Sequence, residues 1–280
     1  MPSTHAAAPD LAPEVTGRPW LARTPVRTGT TLRVLCLPYA GGSAAVYRDW
    51  QRHLPAGVEV CAVELPGHGA RIGERPARRL LPLVREMVTG LAGLLHEPYS
   101  VFGHSLGGLL AYELVRTARE RGLPAPVHLF LSAVAAPGTP PTRPAVRDAT
   151  DDELRAELVA LNGTPAELLR SAELMALMLP VLRADFSVLE TYECAPGTPL
   201  DVPVSLFAGS HDTVVPTSSM SPWSGRFDRA PRVRLFPGDH FFLSADGGAV
   251  ARAVGDTLAG TVPAGPVPAG RPVPGRQERR

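Results

Sequence analysis

With 280 residues, 44% of them hydrophobic, the chain is long enough to bury a core as one large domain or two small ones, and wholesale disorder is excluded. Glycine (27) and proline (31) are in excess and belong in loops and tails. Lys plus Arg (28) nearly balances Asp plus Glu (27), for a net charge of +1, so no global field draws in nucleic acid or an anionic membrane surface.

Cys36, Cys61 and Cys194 show no CxxC and no Cys/His ligand spacing, which predicts free thiols in a reducing compartment and no metal site. The N-terminus lacks a basic start followed by an apolar core, and no apolar stretch could span a bilayer. A soluble, cytoplasmic protein is expected.

Residues 1–28 are rich in Ala, Pro and Thr without periodicity, and residues 262–280 repeat proline every few positions; both ends read as disordered or extended. Between them, over 29–261, apolar runs alternate with amphipathic stretches, the pattern of βα units feeding a mostly parallel sheet. Strands are expected at Leu32–Leu37, Val58–Glu64, Ser100–Gly103, Val127–Ser132, Val202–Ala208 and Val233–Phe236. Helices are expected at Ala44–Leu54, Leu80–Leu95, Leu106–Arg121 and Gly248–Leu258. From about 146 to 194 there is helical patterning only, too long for an ordinary crossover, and this predicts a helical lid over one face of the sheet.

The sharpest local signal is Gly103-His104-Ser105-Leu106-Gly107 between a predicted strand and a predicted helix. A turn tight enough to lift a serine Oγ above a sheet leaves no room for side chains two positions away, and Gly103 and Gly107 meet that need. A serine at its free pKa needs a base, held in one tautomer by an acid. Of the histidines after Ser105, His128 lies in a predicted strand and His211 precedes the best acid, which leaves His240 as the base. Asp212, directly after the strand Val202–Ala208, is the acid, ahead of Asp239 and Asp148. The oxyanion of a tetrahedral intermediate would meet the Leu106 N–H and, from the loop Leu37-Pro38-Tyr39-Ala40-Gly41-Gly42-Ser43, the Ala40 N–H, with Tyr39 as the alternative.

Five separated motifs carry a resemblance: LPYAGGSA (37–44), ELPGHGAR (64–71), FGHSLGG (102–108), LRADF (182–186) and GDHFFL (238–243). Between Arg33 and Ala259 the sequence resembles the stand-alone type II thioesterases of polyketide and nonribosomal peptide assembly lines, which have the α/β-hydrolase fold. The resemblance places nucleophile, acid and base on Ser105, Asp212 and His240. It implies hydrolysis of acyl groups from the phosphopantetheine arm of an acyl or peptidyl carrier protein, with no metal or organic cofactor beyond the substrate's own arm; a monomer that binds neither nucleic acid nor membrane is expected. A carboxylesterase or lipase acting on free esters, and a non-catalytic carrier-protein binder, are the alternatives. Tyr39, Met175 and Met178 are expected to line the acyl pocket. Arg71, Arg75, Arg78, Arg79 and Arg85 form either a docking surface for an acidic carrier protein or a solvated helix face.

Overall fold

The computed structural model describes residues 20–22 and 29–260; both predicted tails, apart from a few inner residues, lie outside them. Six strands, β1 (Leu32–Leu37), β2 (Val58–Ala62), β3 (Tyr99–His104), β4 (Leu129–Ser132), β5 (Val204–Gly209) and β6 (Arg232–Phe236), form one parallel sheet in the order β2-β1-β3-β4-β5-β6. Each predicted strand is present, the first with its predicted bounds and the others with ends moved by at most two residues. Alternate residues feed two cores, as a parallel sheet covered on both faces requires. Leu35 and Leu37 pack under the helices α1 (Leu80–Gly90) and α3 (Leu106–Glu120), whereas Leu32, Val34 and Cys36 face α8 (Gly247–Ala259). The three cysteines are free, and burial pushes the Cys61 thiol up to about 12.

Two predicted helices come out differently. Ala44–Leu54 is two 3-10 segments, Ala44–Tyr47 and Trp50–His53. The residues buried there, Ala44, Tyr47 and Trp50, are three apart, a spacing that a threefold turn places on one side, and the Tyr47 hydroxyl donates to the Leu37 carbonyl at 2.6 Å. The stretch predicted as Leu80–Leu95 breaks at Leu91 into α1 and the short α2 (Ala92–Leu95). Gly90 sits at the break, where a Cβ would lie 2.1 Å from the Trp20 ring. A 3-10 segment at Thr217–Arg226 and a short helix α7 (Phe242–Ala245) were not expected. The first is held by the buried Trp223, which donates to the Val134 carbonyl at 2.9 Å.

The insertion after β4 is helical: α4 (Asp151–Leu161), α5 (Ala166–Arg170) and α6 (Ala172–Glu190). Thr150 and Glu153 form a capping box at the start of α4. The Glu190 carboxylate accepts from the Val146 and Arg147 N–H groups at 2.7 and 3.1 Å, clasping the two ends of the insertion together. Pro180 lies inside α6. Met175, Leu179 and Leu182 pack with Leu154 and Leu158 of α4 in a small core of the insertion's own, while Val188, further on, joins the main core. Among the described residues no helix is long and apolar enough to cross a membrane.

Candidate active site

Strand order reverses between β1 and β3, and in open α/β sheets ligands bind in the crevice beyond the strand ends at such a switch point. Here the loops after β1 and β3 are neighbours, and they carry the Tyr39–Gly42 turn and Ser105. Ser105 has φ 54° and ψ −116°, a strained geometry for a residue with a side chain. The glycines make the turn possible: a Cβ on Gly103 would lie 2.0 Å from the Gly107 carbonyl oxygen, and one on Gly107 would lie 2.1 Å from that of Leu37.

The structure brings the three residues singled out for chemistry into one chain of hydrogen bonds. His240 Nε2 is 3.0 Å from Ser105 Oγ, and His240 Nδ1 is 2.8 Å from Asp212 Oδ2. The other oxygen of Asp212 accepts from the Val214 and Val215 N–H groups, both at 2.8 Å. With Nδ1–H donated to a carboxylate, Nε2 is left free to accept the serine proton. Asp239 instead turns back, accepting from the Phe241 N–H at 2.9 Å, and Asp148 pairs with Arg147. His128 is buried against Ser205 Oγ at 2.9 Å, and burial, with a smaller contribution from Arg232, lowers its pKa to about 4.

His104, unremarked in the sequence beside the serine, is fully buried. Its Nε2 lies 2.9 Å from the His240 carbonyl oxygen and its Nδ1 2.9 Å from Ser132 Oγ. Burial, reinforced by His240, lowers its pKa to about 3. It is therefore a neutral ring, donating from Nε2 to the backbone of His240 and accepting the Ser132 hydroxyl proton at Nδ1.

In the turn after β1 the Gly42 N–H donates to the Tyr39 carbonyl at 2.9 Å and the Gly41 N–H to Asp185 Oδ2 at 2.7 Å. The Ala40 N–H has no acceptor among the described residues. That leaves Ala40, of these three, with a donor to spare beside Ser105. Leu106 opens α3, where a first-turn N–H has no partner within the helix.

Two motifs that seemed only to mark the resemblance build this corner. Glu64, 5% exposed, accepts from the Ala44 N–H at 3.1 Å and the Ala70 N–H at 3.3 Å. His68, 3% exposed, places Nε2 2.9 Å from Asp185 Oδ2 and Nδ1 3.1 Å from the Pro66 carbonyl oxygen. Burial opposes charge on His68, but Asp185, the Pro66 carbonyl and Glu64 together raise its pKa. Asp185 carried a signal in the sequence: it stands on the apolar stripe of α6, three residues after Leu182 and three before Val188, where an acid is out of place unless partnered.

Ser105 and His240 open into a cavity of about 180 Å³ whose lining includes Tyr39, Leu158, Met178, Leu182 and Phe241. Tyr39 and Met178 are thus on the pocket wall. Met175 is not: three residues before Met178, it turns to Leu154 and Leu158 inside the insertion and is fully buried. The arginine group divides as well. Arg71 is 6% exposed, pairs with Glu74 at 2.6 Å, donates to the Glu64 carbonyl at 3.0 Å and stacks on Trp20, so it cannot belong to a docking surface; Arg75, Arg78, Arg79 and Arg85 are exposed.

Residues 32–258 match the family model described as "Thioesterase domain". The chain belongs to the thioesterase family, and it is a serine-hydrolase member with the α/β-hydrolase fold. It is 38% identical over 224 residues to the gramicidin S biosynthesis protein GrsT of Aneurinibacillus migulanus, covering 80% of this chain and 88% of that one. Among solved structures it is similar to RedJ, a thioesterase from the prodiginine biosynthetic pathway of Streptomyces coelicolor, with a TM-score of 0.77 and 34% identity over 86% of this chain and 92% of that one. The type II thioesterase BorB from the borrelidin biosynthetic cluster gives a TM-score of 0.77 and 32% identity over 85% of this chain and 97% of that one.

Proposed function

We propose that this protein is a type II thioesterase of a polyketide or nonribosomal peptide assembly line, which hydrolyses acyl groups from the phosphopantetheine arm of a carrier protein through a Ser105-His240-Asp212 triad. The observation that carries the reading is the Ser105–His240–Asp212 hydrogen-bond chain at the mouth of an apolar pocket; the pathway assignment draws on GrsT, RedJ and BorB. Ser105 Oγ attacks the thioester carbonyl carbon as its proton passes to His240 Nε2. The oxyanion so formed is met by the Ala40 and Leu106 N–H groups. The carbon–sulfur bond then breaks and the pantetheine thiol leaves with the proton from His240, giving an ester on Ser105. Water attacks that ester while its proton goes to His240, which returns it to Oγ as the acid departs. Every proton in this sequence is carried by the chain's own groups or by water, so the reaction calls for no cofactor beyond the substrate's arm. The triad and pocket are drawn from one chain, which supports action as a monomer.

The test is intact-mass spectrometry of an acyl-loaded carrier protein incubated with wild type and with Ser105→Ala. Loss of the acyl mass with wild type alone is expected. Cleavage of simple oxygen esters without loss from the carrier would make the protein an esterase, and inertness toward both would make it a binder.

A further inference from the structure

The geometry assigns Asp185 as a positioning residue that holds the oxyanion-binding turn from the insertion, with His68 as its counter-charge; the assignment rests on the reading of the Ala40 N–H as an oxyanion donor. Tyr39 to Gly42 is a tight turn closed by the Gly42 N–H to Tyr39 carbonyl bond, and its third residue, Gly41, has φ +74°. Positive φ at that position defines a turn whose central peptide is rotated by about 180° relative to the commoner form. The N–H of that central peptide is the Gly41 N–H, and it donates to Asp185 Oδ2 at 2.7 Å. A carboxylate accepts and does not donate, so it favours this orientation and repels the flipped one, which would present the Ala40 carbonyl oxygen. Only the Ala40 Cα separates the anchored peptide from the Ala40 N–H. Leu182, one turn earlier on α6, closes the turn from above: a Cβ on Gly41 would lie 2.6 Å from Leu182 Cδ2.

An ionised carboxylate next to a developing oxyanion would oppose it unless neutralised, and His68 supplies the neutralising charge. Its two ring nitrogens face acceptors only, the Pro66 carbonyl and Asp185, so both carry protons. The buried pair thus fixes the turn without adding net charge beside the reacting carbonyl.

The experiment measures kcat and KM on a short acyl thioester of N-acetylcysteamine, and Ki for a trifluoromethyl ketone that forms a tetrahedral adduct on the serine, for wild type, Ser105→Ala, Asp185→Ala, Asp185→Asn and His68→Gln. Displacing the donor by a fraction of an ångström is expected to lower kcat of Asp185→Ala about 10- to 100-fold and raise Ki by the same factor, with KM changed by less than about twofold. Asp185→Asn, whose amide oxygen still accepts from Gly41, should recover part of both, and His68→Gln should move both in the same direction by less. If Asp185→Ala does not fold, the parallel fall in kcat and rise in Ki is read from the other two variants. Unchanged kcat, a rise in KM alone, or a fall in kcat with unchanged Ki would each overturn the assignment. An inert wild type, or an active Ser105→Ala, would instead overturn the functional reading and this assignment with it.

Discussion

The molecule holds two buried histidine–aspartate pairs, and they differ in what the second ring nitrogen meets. In His240–Asp212 the far nitrogen faces the Ser105 hydroxyl, a group that can give up a proton, so the imidazole is placed to act as a base. In His68–Asp185 it faces the Pro66 carbonyl, which only accepts, so the ring stays doubly protonated and holds backbone in place. The pairs are alike in length, 2.8 and 2.9 Å, and both are almost wholly buried. Whether such a pair performs chemistry or construction is decided by the third partner and not by the pair.

The largest effect is expected from breaking the first pair. Asp212→Asn leaves its neighbours in place but favours the wrong His240 tautomer, and kcat should fall by about 10³- to 10⁴-fold with KM nearly unchanged; steady-state kinetics on a model thioester would show it, and a loss under tenfold would remove Asp212 from the role. Next comes His104, which supports the same pair through the backbone. His104→Phe leaves the His240 carbonyl and Ser132 Oγ without their partner, so the unfolding free energy should drop by about 2–3 kcal/mol in urea titrations, with a fall in kcat smaller than that of Asp212→Asn.

A third prediction separates the pocket wall from the insertion's own core. Met175→Ala should cost about 2–4 kcal/mol of stability as a buried cavity mutant while leaving the order of preference among acyl chains intact. Met178→Ala should shift that preference toward longer or bulkier chains with a smaller cost. Competition between acyl thioesters of graded length would read both, and a preference shift from Met175→Ala would contradict the placement of its side chain.

The smallest effect concerns pH. His104 and His128, with pKa values lowered to about 3 and about 4, are neutral when folded and bind protons more readily when unfolded. The stability they hold at pH 7 is therefore lost as pH falls from about 6.5 toward those values. His68 has the opposite sign. Its pKa, which burial would lower but Asp185, the Pro66 carbonyl and Glu64 raise, contributes stability that is present below its ordinary value and lost as pH rises through the raised one. Thermal melts across pH should show the acid limb in wild type weakened in His128→Gln and the alkaline limb weakened in His68→Gln.

Much of this was legible in the sequence because the signals were local. Gly103 and Gly107 mark a turn only glycine permits, six apolar runs mark a sheet covered on both faces, and the order Ser105, Asp212, His240 leaves few alternatives for the base. The supporting contacts were harder to read because their meaning lies in partners far along the chain. Asp185 meets Gly41 across 144 residues and His68 across 117, and His104 reaches His240 across 136. Met175 and Met178 show the same limit at short range: both lie on one helix, and the face each presents depended on where α4 would pack. Arg71, grouped with exposed arginines by sequence proximity, was drawn inward by Glu74 and Trp20.

Pro180 has no amide hydrogen to offer the Ala176 carbonyl, so the backbone ladder of α6 is interrupted within the stretch, Met178 to Leu189, that borders the pocket and also anchors the turn beside Ser105. Pocket wall and turn anchor are thereby carried by the same stretch of one helix, with Leu182 on the pocket wall and Asp185, three residues on, holding Gly41. A substitution at Leu182 that reshapes the pocket is therefore felt at Gly41 of that turn as well, because the same side chain covers both.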